Sequence, residues 1–276
     1  MSRLLSANFR RLLKDKFFWI ACIVTLGFGA SASIGSYLDF LKSNYPAPKL
    51  DDFFFSYSMF LTFPLAAFCS LFLGTEYSDG TIRNKLIIGH SRYAVYLSNL
   101  IVCSVAGFFM AFSWQAAAAA IGIPLLGSFD ADSKTVVLCF LNSALNVVVF
   151  ASILTMISML NQNKALVSVI NLLGTTILFL VAMKLYNQLT EPEFYSTYVM
   201  NASGESSMQN LPNPHYLTGI ARSVYEFLFD FLPTGQAYHI VSMTAPNVWQ
   251  LPLYQLFWII VTTVSGLFVF RKKDIR

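Results

Sequence analysis

Apolar residues run along this chain for twenty or more positions at a time and then give way to short polar clusters. Residues 17–38, 53–75, 93–129, 135–163, 165–183 and 231–270 contain no Asp, Glu, Lys or Arg. A helix gains about 1.5 Å per residue and needs about 20 apolar residues to cross a hydrocarbon layer of about 30 Å. Each run therefore predicts one membrane span, the last at 251–270. The run 93–129 exceeds that need, so its helix is expected to start in the interface and stop near Pro124, which cannot continue it. The run 165–183 predicts the shortest span. The fold expected is all-α, a polytopic membrane protein with six transmembrane helices forming a single domain over residues 1–276.

The segments between these runs carry patterns of their own. In residues 2–17, Leu4, Leu5, Phe9, Leu12, Leu13 and Phe17 recur mostly at spacings of three and four, with Arg3, Arg10, Arg11 and Lys14 elsewhere around the wheel. This predicts an amphipathic helix, over residues 1–16 of the leader, lying on the inner leaflet; an ordinary positive flank is the plainer alternative. In residues 76–92, Asp79 is placed to cap a short helix and Gly89 to close it in the left-handed conformation. Between them Ile82 and Leu86 share a face, while Arg83 and Lys85 point elsewhere. Such a segment serves either as an apolar ridge flanked by cations for a soluble partner or as a simple loop.

The loop region 188–250 reads in two parts. Residues 191–214 are polar and rich in Ser and Asn, which predicts a mobile loop; Asn201-Ala202-Ser203 within it has the form of a glycosylation sequon. From Tyr216 to Phe231 the apolar residues Leu217, Ile220, Val224, Phe227, Leu228 and Phe231 return at helical spacing. Pro233-Thr234-Gly235 is expected to break that helix, and 237–243 is apolar but too short to span. Either a dip into the outer leaflet or a helix lying on lipid explains the pattern.

Composition supports a lipid environment. Hydrophobic residues make up 56% of the 276 and charged residues only 12%, against roughly 25% charged in ordinary soluble domains. The cations also fix an orientation, because Lys and Arg near span ends stay on the cytoplasmic side. With both termini inside, cytoplasmic segments hold 13 of the 18: Arg3, Arg10, Arg11, Lys14, Lys16, Arg83, Lys85, Arg92, Lys164, Arg271, Lys272, Lys273 and Arg276. The net charge of +4 is then a topology signal and gives no reason to expect nucleic acid. A signal peptide cleaved after Ala30-Ser31-Ala32 is the competing reading of the N-terminus. It would leave five spans with ends on opposite sides, and retention is expected. Cys22, Cys69, Cys103 and Cys139 are scattered through apolar runs and read as small core residues.

No Gly-x-x-x-x-Gly-Lys-Ser/Thr phosphate loop is present. His90, His215 and His239 form no metal-ligand pattern, and neither His-Glu-x-x-His nor Gly-x-Ser-x-Gly occurs. The chain is therefore expected to be no enzyme and to hold no metal or cofactor itself. Ion-driven carriers place a titratable group near the bilayer midplane, and the apolar runs have none. Their polar residues are amides and hydroxyls: Asn142 and Asn146 one turn apart in the fourth run, and Ser168, Asn171 and Thr175 on one face of the fifth. These line a pathway or join helices by hydrogen bonds, the commoner use. Residues 116–120, all alanine, with Gly122 offer a small-residue packing surface.

A basic amphipathic leader, two spans, the segment Glu76-Tyr77-Ser78-Asp79-Gly80-Thr81-Ile82-Arg83-Asn84-Lys85, four further spans and the tail Phe270-Arg271-Lys272-Lys273-Asp274 together resemble the type-2 permeases of ATP-binding-cassette (ABC) transporters. The resemblance covers nearly the whole chain, with residues 76–85 its most specific part. It implies an elbow helix in the leader, a coupling helix at 76–92 seated in a cleft of an ABC ATPase subunit, a re-entrant helical hairpin before the last span, and a cytoplasmic tail at 271–276. Carried over residue by residue, it makes Glu76, Tyr77, Asp79, Gly80, Thr81, Ile82, Arg83, Asn84 and Lys85 the expected ATPase contact. It further implies a second permease subunit, identical or related, Mg-ATP bound by the partner ATPase, a bacterial plasma membrane, and export of an amphipathic substrate such as a peptide, an antimicrobial, a lipid-like compound or a drug. A non-transporting scaffold or sensor, and an ion-coupled secondary carrier, are the rival classes.

Overall fold

The computed structural model describes residues 1–42, 49–200, 206–243 and 249–274. The sequon at 201–203 lies outside them. Among these residues six helices are long and apolar enough to cross a membrane, and the protein is an all-α polytopic membrane protein apart from one pair of β-strands among the described residues. A leader helix α1 (Ser2–Lys14) precedes α2 (Lys16–Lys42). A 3₁₀ turn (Leu50–Asp52) and a single helical turn α3 (Tyr57–Phe60) lead into α4 (Thr62–Ser78), and the short α5 (Thr81–Ile87) follows. Then come α6 (Arg92–Leu126), α7 (Ser133–Leu160) and α8 (Lys164–Leu189). The strands β1 (Phe194–Met200) and β2 (Ser206–Pro212), the pair α9 (Gly219–Phe231) and α10 (Pro233–Ser242), and α11 (Leu251–Lys272) complete the chain.

Helix α6 ends at Leu126, near Pro124 as expected, although it continues through the ring, because a proline near a helix C-terminus disrupts only the turn before it. Two other expectations fail. With the second span taken from Leu50 to Ser78, the shortest span is α11, at 22 residues, and not the fifth, α8, which has 26. The charge-free run stops at Lys184, but the helix does not, because an exposed lysine on a long stem reaches for the interface while its backbone stays helical. Residues 194–200 and 206–212 pair as antiparallel strands, Phe194 opposite Pro212 through Met200 opposite Ser206, where a mobile loop was expected.

Helices α4, α6 and α7 form the centre, with α2 along α6, α8 along α4 and α11 along α7. The Ala-rich stretch of α6 accepts α2 closely: Ala117 and Ala118 are buried, and Ser33 of α2 lies 3.5 Å from the Ala118 carbonyl. One end of the bundle gathers α1, α5 and the C-terminal tail; the other gathers the 3₁₀ turn, the strand pair, α9 and the aromatic cluster of Phe54, Phe55, Phe129 and Phe140.

At that second end α9 and α10 fold back on each other and enter the bundle. The break is at Leu232, whose backbone is extended, and Pro233 begins α10 rather than ending α9, a position where its missing N–H costs nothing. Asn146 Nδ2 donates to the Pro233 carbonyl (3.0 Å), and Thr234 Oγ1 donates to the Leu178 carbonyl (2.9 Å). Asn146 is halfway along α7 and Leu178 near the middle of α8, so the turn reaches mid-bundle depth. His239 Nε2 meets Asp230 Oδ1 at 2.7 Å across the pair. Gly235 lets the turn close, because a Cβ there would collide with the Phe229 carbonyl. Gly235→Ala should cost about 1–3 kcal/mol by overpacking, read as a lower melting temperature in detergent; an unchanged melt would mean the two helices are not held this closely.

Candidate functional site

Glu76 sits near the end of α4 with none of its surface exposed. A buried carboxylate is costly unless charge and hydrogen bonds replace its water. Here Lys85 of α5 and Arg11 of α1 both pair with Oε1, and Asn99 of α6 donates to Oε2 at 2.8 Å. Asn8 of α1 completes the cluster: its Nδ2 donates to Asn99 Oδ1 (3.0 Å) and Ser98 Oγ (2.8 Å), while its Oδ1 accepts from Lys85 Nζ (2.9 Å). The Arg11 guanidinium also stacks 3.7 Å over the centre of the Phe72 ring, a contact that favours a cation further. Burial pulls the Lys85 ammonium below its ordinary range, and Glu76 opposes that pull. Four helices thus converge on one carboxylate.

The chain enters α5 through Gly80, whose φ of 65° is the left-handed conformation that a side chain resists. The expected N-cap at Asp79 is not formed. Asp79 ends α4, and its carboxylate accepts only from Ser78 Oγ (3.4 Å) among the described residues; with Gly80 making the turn, the Asp79 side chain is carried away from the free α5 amides. Gly89, φ 99°, closes the other end as expected, with His90 N–H donating to the Lys85 carbonyl (3.1 Å) and Gly89 N–H to that of Leu86 (3.0 Å). Ser91 then caps α6 through Ala94 N–H.

The nine residues expected to form one contact surface divide into two sets. Ile82, Lys85 and Glu76 are buried, and Tyr77 is half-buried with its hydroxyl donating to the Met159 carbonyl of α7. The apolar ridge expected of Ile82 and Leu86 faces the bundle and not a partner, since Ile82 is buried and Leu86 packs on the core, and Lys85 turns inward with it because Glu76, nine residues earlier on another helix, attracts it. Asp79, Arg83 and Asn84 are exposed, and Gly80 and Thr81 half-buried. Beside Arg83 and Asn84 stand Ile87, 71% exposed, and Ile88, 78% exposed. Sequence reading passed over this apolar pair, as it passed over Asn8 and Asn99. Asn8 did leave a signal, a polar residue midway between Leu4 and Leu12 on the apolar stripe of α1.

The tail braces the same end. Arg92 donates to the carbonyls of Phe270 (3.0 Å) and Lys273, and Lys273 Nζ reaches Tyr77 Oη (3.3 Å) and the Met159 carbonyl (3.2 Å). Burial lowers the Lys273 ammonium to about 8, whereas an unfolded lysine titrates at about 10.4. Between these values the unfolded chain binds more protons, so stability rises with pH there and the burial penalty is complete below the lower one. The melting temperature should therefore climb between pH 8 and 10 more steeply than in Lys273→Met; parallel curves would contradict this placement.

Of the polar residues within the spans, Asn146 and Asn171 bond to other elements, and the side chains of Asn142, Ser168 and Thr175 bond within their own helices. Asn171 Nδ2 donates to Ser70 Oγ of α4 (2.8 Å) and Ser158 Oγ of α7 (3.0 Å), while Ser168 and Thr175 bond to carbonyls of their own helix. Asn142 bonds within α7, and its carbonyl accepts from Gln255 of α11 at 3.1 Å. Asn146 holds the α9–α10 turn.

A search among curated proteins found no match. The family described as ABC-2 family transporter protein matches residues 4–183, from the leader through most of α8. That stretch includes α1, α5 and every residue of the Glu76 cluster. The chain therefore belongs to the ABC-2 transporter family, and it is a multi-pass permease component of an ABC transporter.

Proposed function

We propose that the protein is the membrane-spanning half of an ATP-driven exporter and that a separate ATPase docks on the outward face of α5. The observation that carries this is the division of α5: its inner face is locked to α1, α4 and α6 through Glu76, while Arg83, Asn84, Ile87 and Ile88 project together from its outer face. A short helix tied in this way passes a push to its neighbours instead of bending away. Asp79, Gly80 and Thr81 flank the contact, and Glu76, Tyr77, Ile82 and Lys85 support it from behind. The leader acts as the elbow helix, moving with α5 because Asn8 and Arg11 share the same carboxylate.

On this reading the basic end faces the cytoplasm, as the cation distribution requires, and Mg-ATP is bound by the partner and not by this chain. The α9–α10 hairpin, reaching mid-bundle depth, works as a re-entrant plug on the outer side. ATPase closure shifts the population between inward-open and outward-open states, with a second permease subunit forming the other wall. The substrate is amphipathic: a peptide, an antimicrobial, a lipid-like compound or a drug.

Orientation is tested by Arg83→Cys. The four native cysteines are buried, so a membrane-impermeant maleimide should leave intact cells unlabelled and react once the membrane is opened. Labelling of intact cells would put α5 outside and end the proposal. Transport that survives ATP depletion but stops with the ion gradient would favour a secondary carrier, and no transport with no bound ATPase would favour a scaffold or sensor.

A further inference from the structure

Between α2, the α3–α4 junction and α6 lies a cavity of about 210 Å³ whose walls include Thr25, Phe28, Tyr57, Phe60, Phe63 and Trp114. Helix α3 ends at Phe60 and α4 begins at Thr62. Pro64, also in the wall, has no N–H to give the Phe60 carbonyl, which leaves one backbone bond unmade at the junction.

The wall has a uniform chemistry with one exception. Among the described residues no charged side chain lines it. Phe60 and Trp114 rings face each other nearly parallel, 15° between planes with centroids 6.2 Å apart. The Tyr57 hydroxyl is occupied, accepting from Gln115 Nε2 at 3.1 Å, and Thr25 Oγ1 bonds to carbonyls of its own helix. Trp114 is the exception: the residue is 3% exposed, and its indole N–H has no partner among the described residues. A buried donor left unmade is costly, and an indole nitrogen can only donate. Access is sideways, since Phe28 and Phe60 are half exposed on the outer surface of the bundle.

We propose that this cavity binds a neutral, ring-bearing lipophile that enters from the bilayer and whose carbonyl or ether oxygen accepts from Trp114 Nε1. The aromatic walls supply stacking surface, and the single donor fixes which end of the molecule enters first. As a substrate site this rests on the permease reading; as a binding site it does not.

The test uses benzophenone, a neutral diaryl ketone that is itself photoreactive, on the purified full-length permease in nanodiscs without any ATPase. Irradiation followed by peptide mapping should show saturable labelling at residues 24–28, 57–64 or Trp114. Trp114→Phe keeps the ring and removes the donor, so half-saturation should weaken about fivefold to tenfold, the worth of one hydrogen bond. Thr25→Trp fills the space and should abolish the site. If Thr25→Trp does not fold, Trp114→Phe alone decides. Non-saturable labelling spread over the exposed faces of α8 and α11 would overturn the proposal, as would cavity labelling that Trp114→Phe leaves unchanged. Because no ATPase is present, failure here leaves docking at α5 standing, and failure of docking leaves saturable labelling intact.

Discussion

Glu76→Ala should lower the melting temperature of the detergent-solubilised permease more than any surface substitution, by an amount corresponding to about 3–5 kcal/mol, and should release α5 from the bundle. Removing one partner of a buried pair leaves the other charge without water or counter-ion. Here two cations are left, Lys85 and Arg11, and the amide of Asn99 loses its acceptor as well. Lys85 bears the greater share, since its side chain is 11% exposed and that of Arg11 31%. Adding Lys85→Met to Glu76→Ala should therefore recover part of the loss, whereas Lys85→Met alone should destabilise by leaving Glu76 with one cation. A double-mutant cycle on the melting temperature reads this coupling. Additive single effects would show that the cluster is not a unit.

The second large effect is on association and not on folding. Ile87→Asp with Ile88→Asp should leave the melting temperature nearly unchanged, because both side chains are already in solvent and such positions usually shift stability by less than about 0.5 kcal/mol. Recovery of the ATPase with the permease should fall steeply. Burying each isoleucine in a partner cleft is worth about 1.5–3 kcal/mol, so losing two corresponds to at least a hundredfold in affinity, counting about 1.4 kcal/mol per factor of ten. Arg83→Glu should reduce recovery less, since a rim charge acts mainly on the rate of encounter. Equal recovery with the doubly charged α5 would place the ATPase contact elsewhere.

The spans were legible because lipid demands long apolar stretches, and that demand leaves a strong trace: six runs without a charge became six helices. The amphipathic leader and α9 were legible for the same reason, an apolar stripe at helical spacing. The paired strands escape a reading that weighs polarity above residue type; Phe194, Tyr195, Thr197 and Val199 favour strands. Lys85 was misplaced for a deeper reason. A helical wheel of residues 81–87 shows which positions share a face, but not that Glu76 is folded against that face with Asn8 arriving from α1, 77 residues away in the chain. The cluster is tertiary, and its members are individually unremarkable polar residues. The exposed pair Ile87 and Ile88 is hard to see in the sequence because apolar residues beside the half-buried Leu86 look like more of the same stripe.

A photo-crosslinking amino acid at Ile88, in living cells, probes the α5 surface where the ATPase is expected. The outcome expected is a single major adduct to a protein that carries a phosphate loop, binds ATP-agarose, and fails to form the adduct when Glu76→Ala is introduced. Adducts only to lipid, or to a protein without nucleotide-binding activity, would contradict the role assigned to α5.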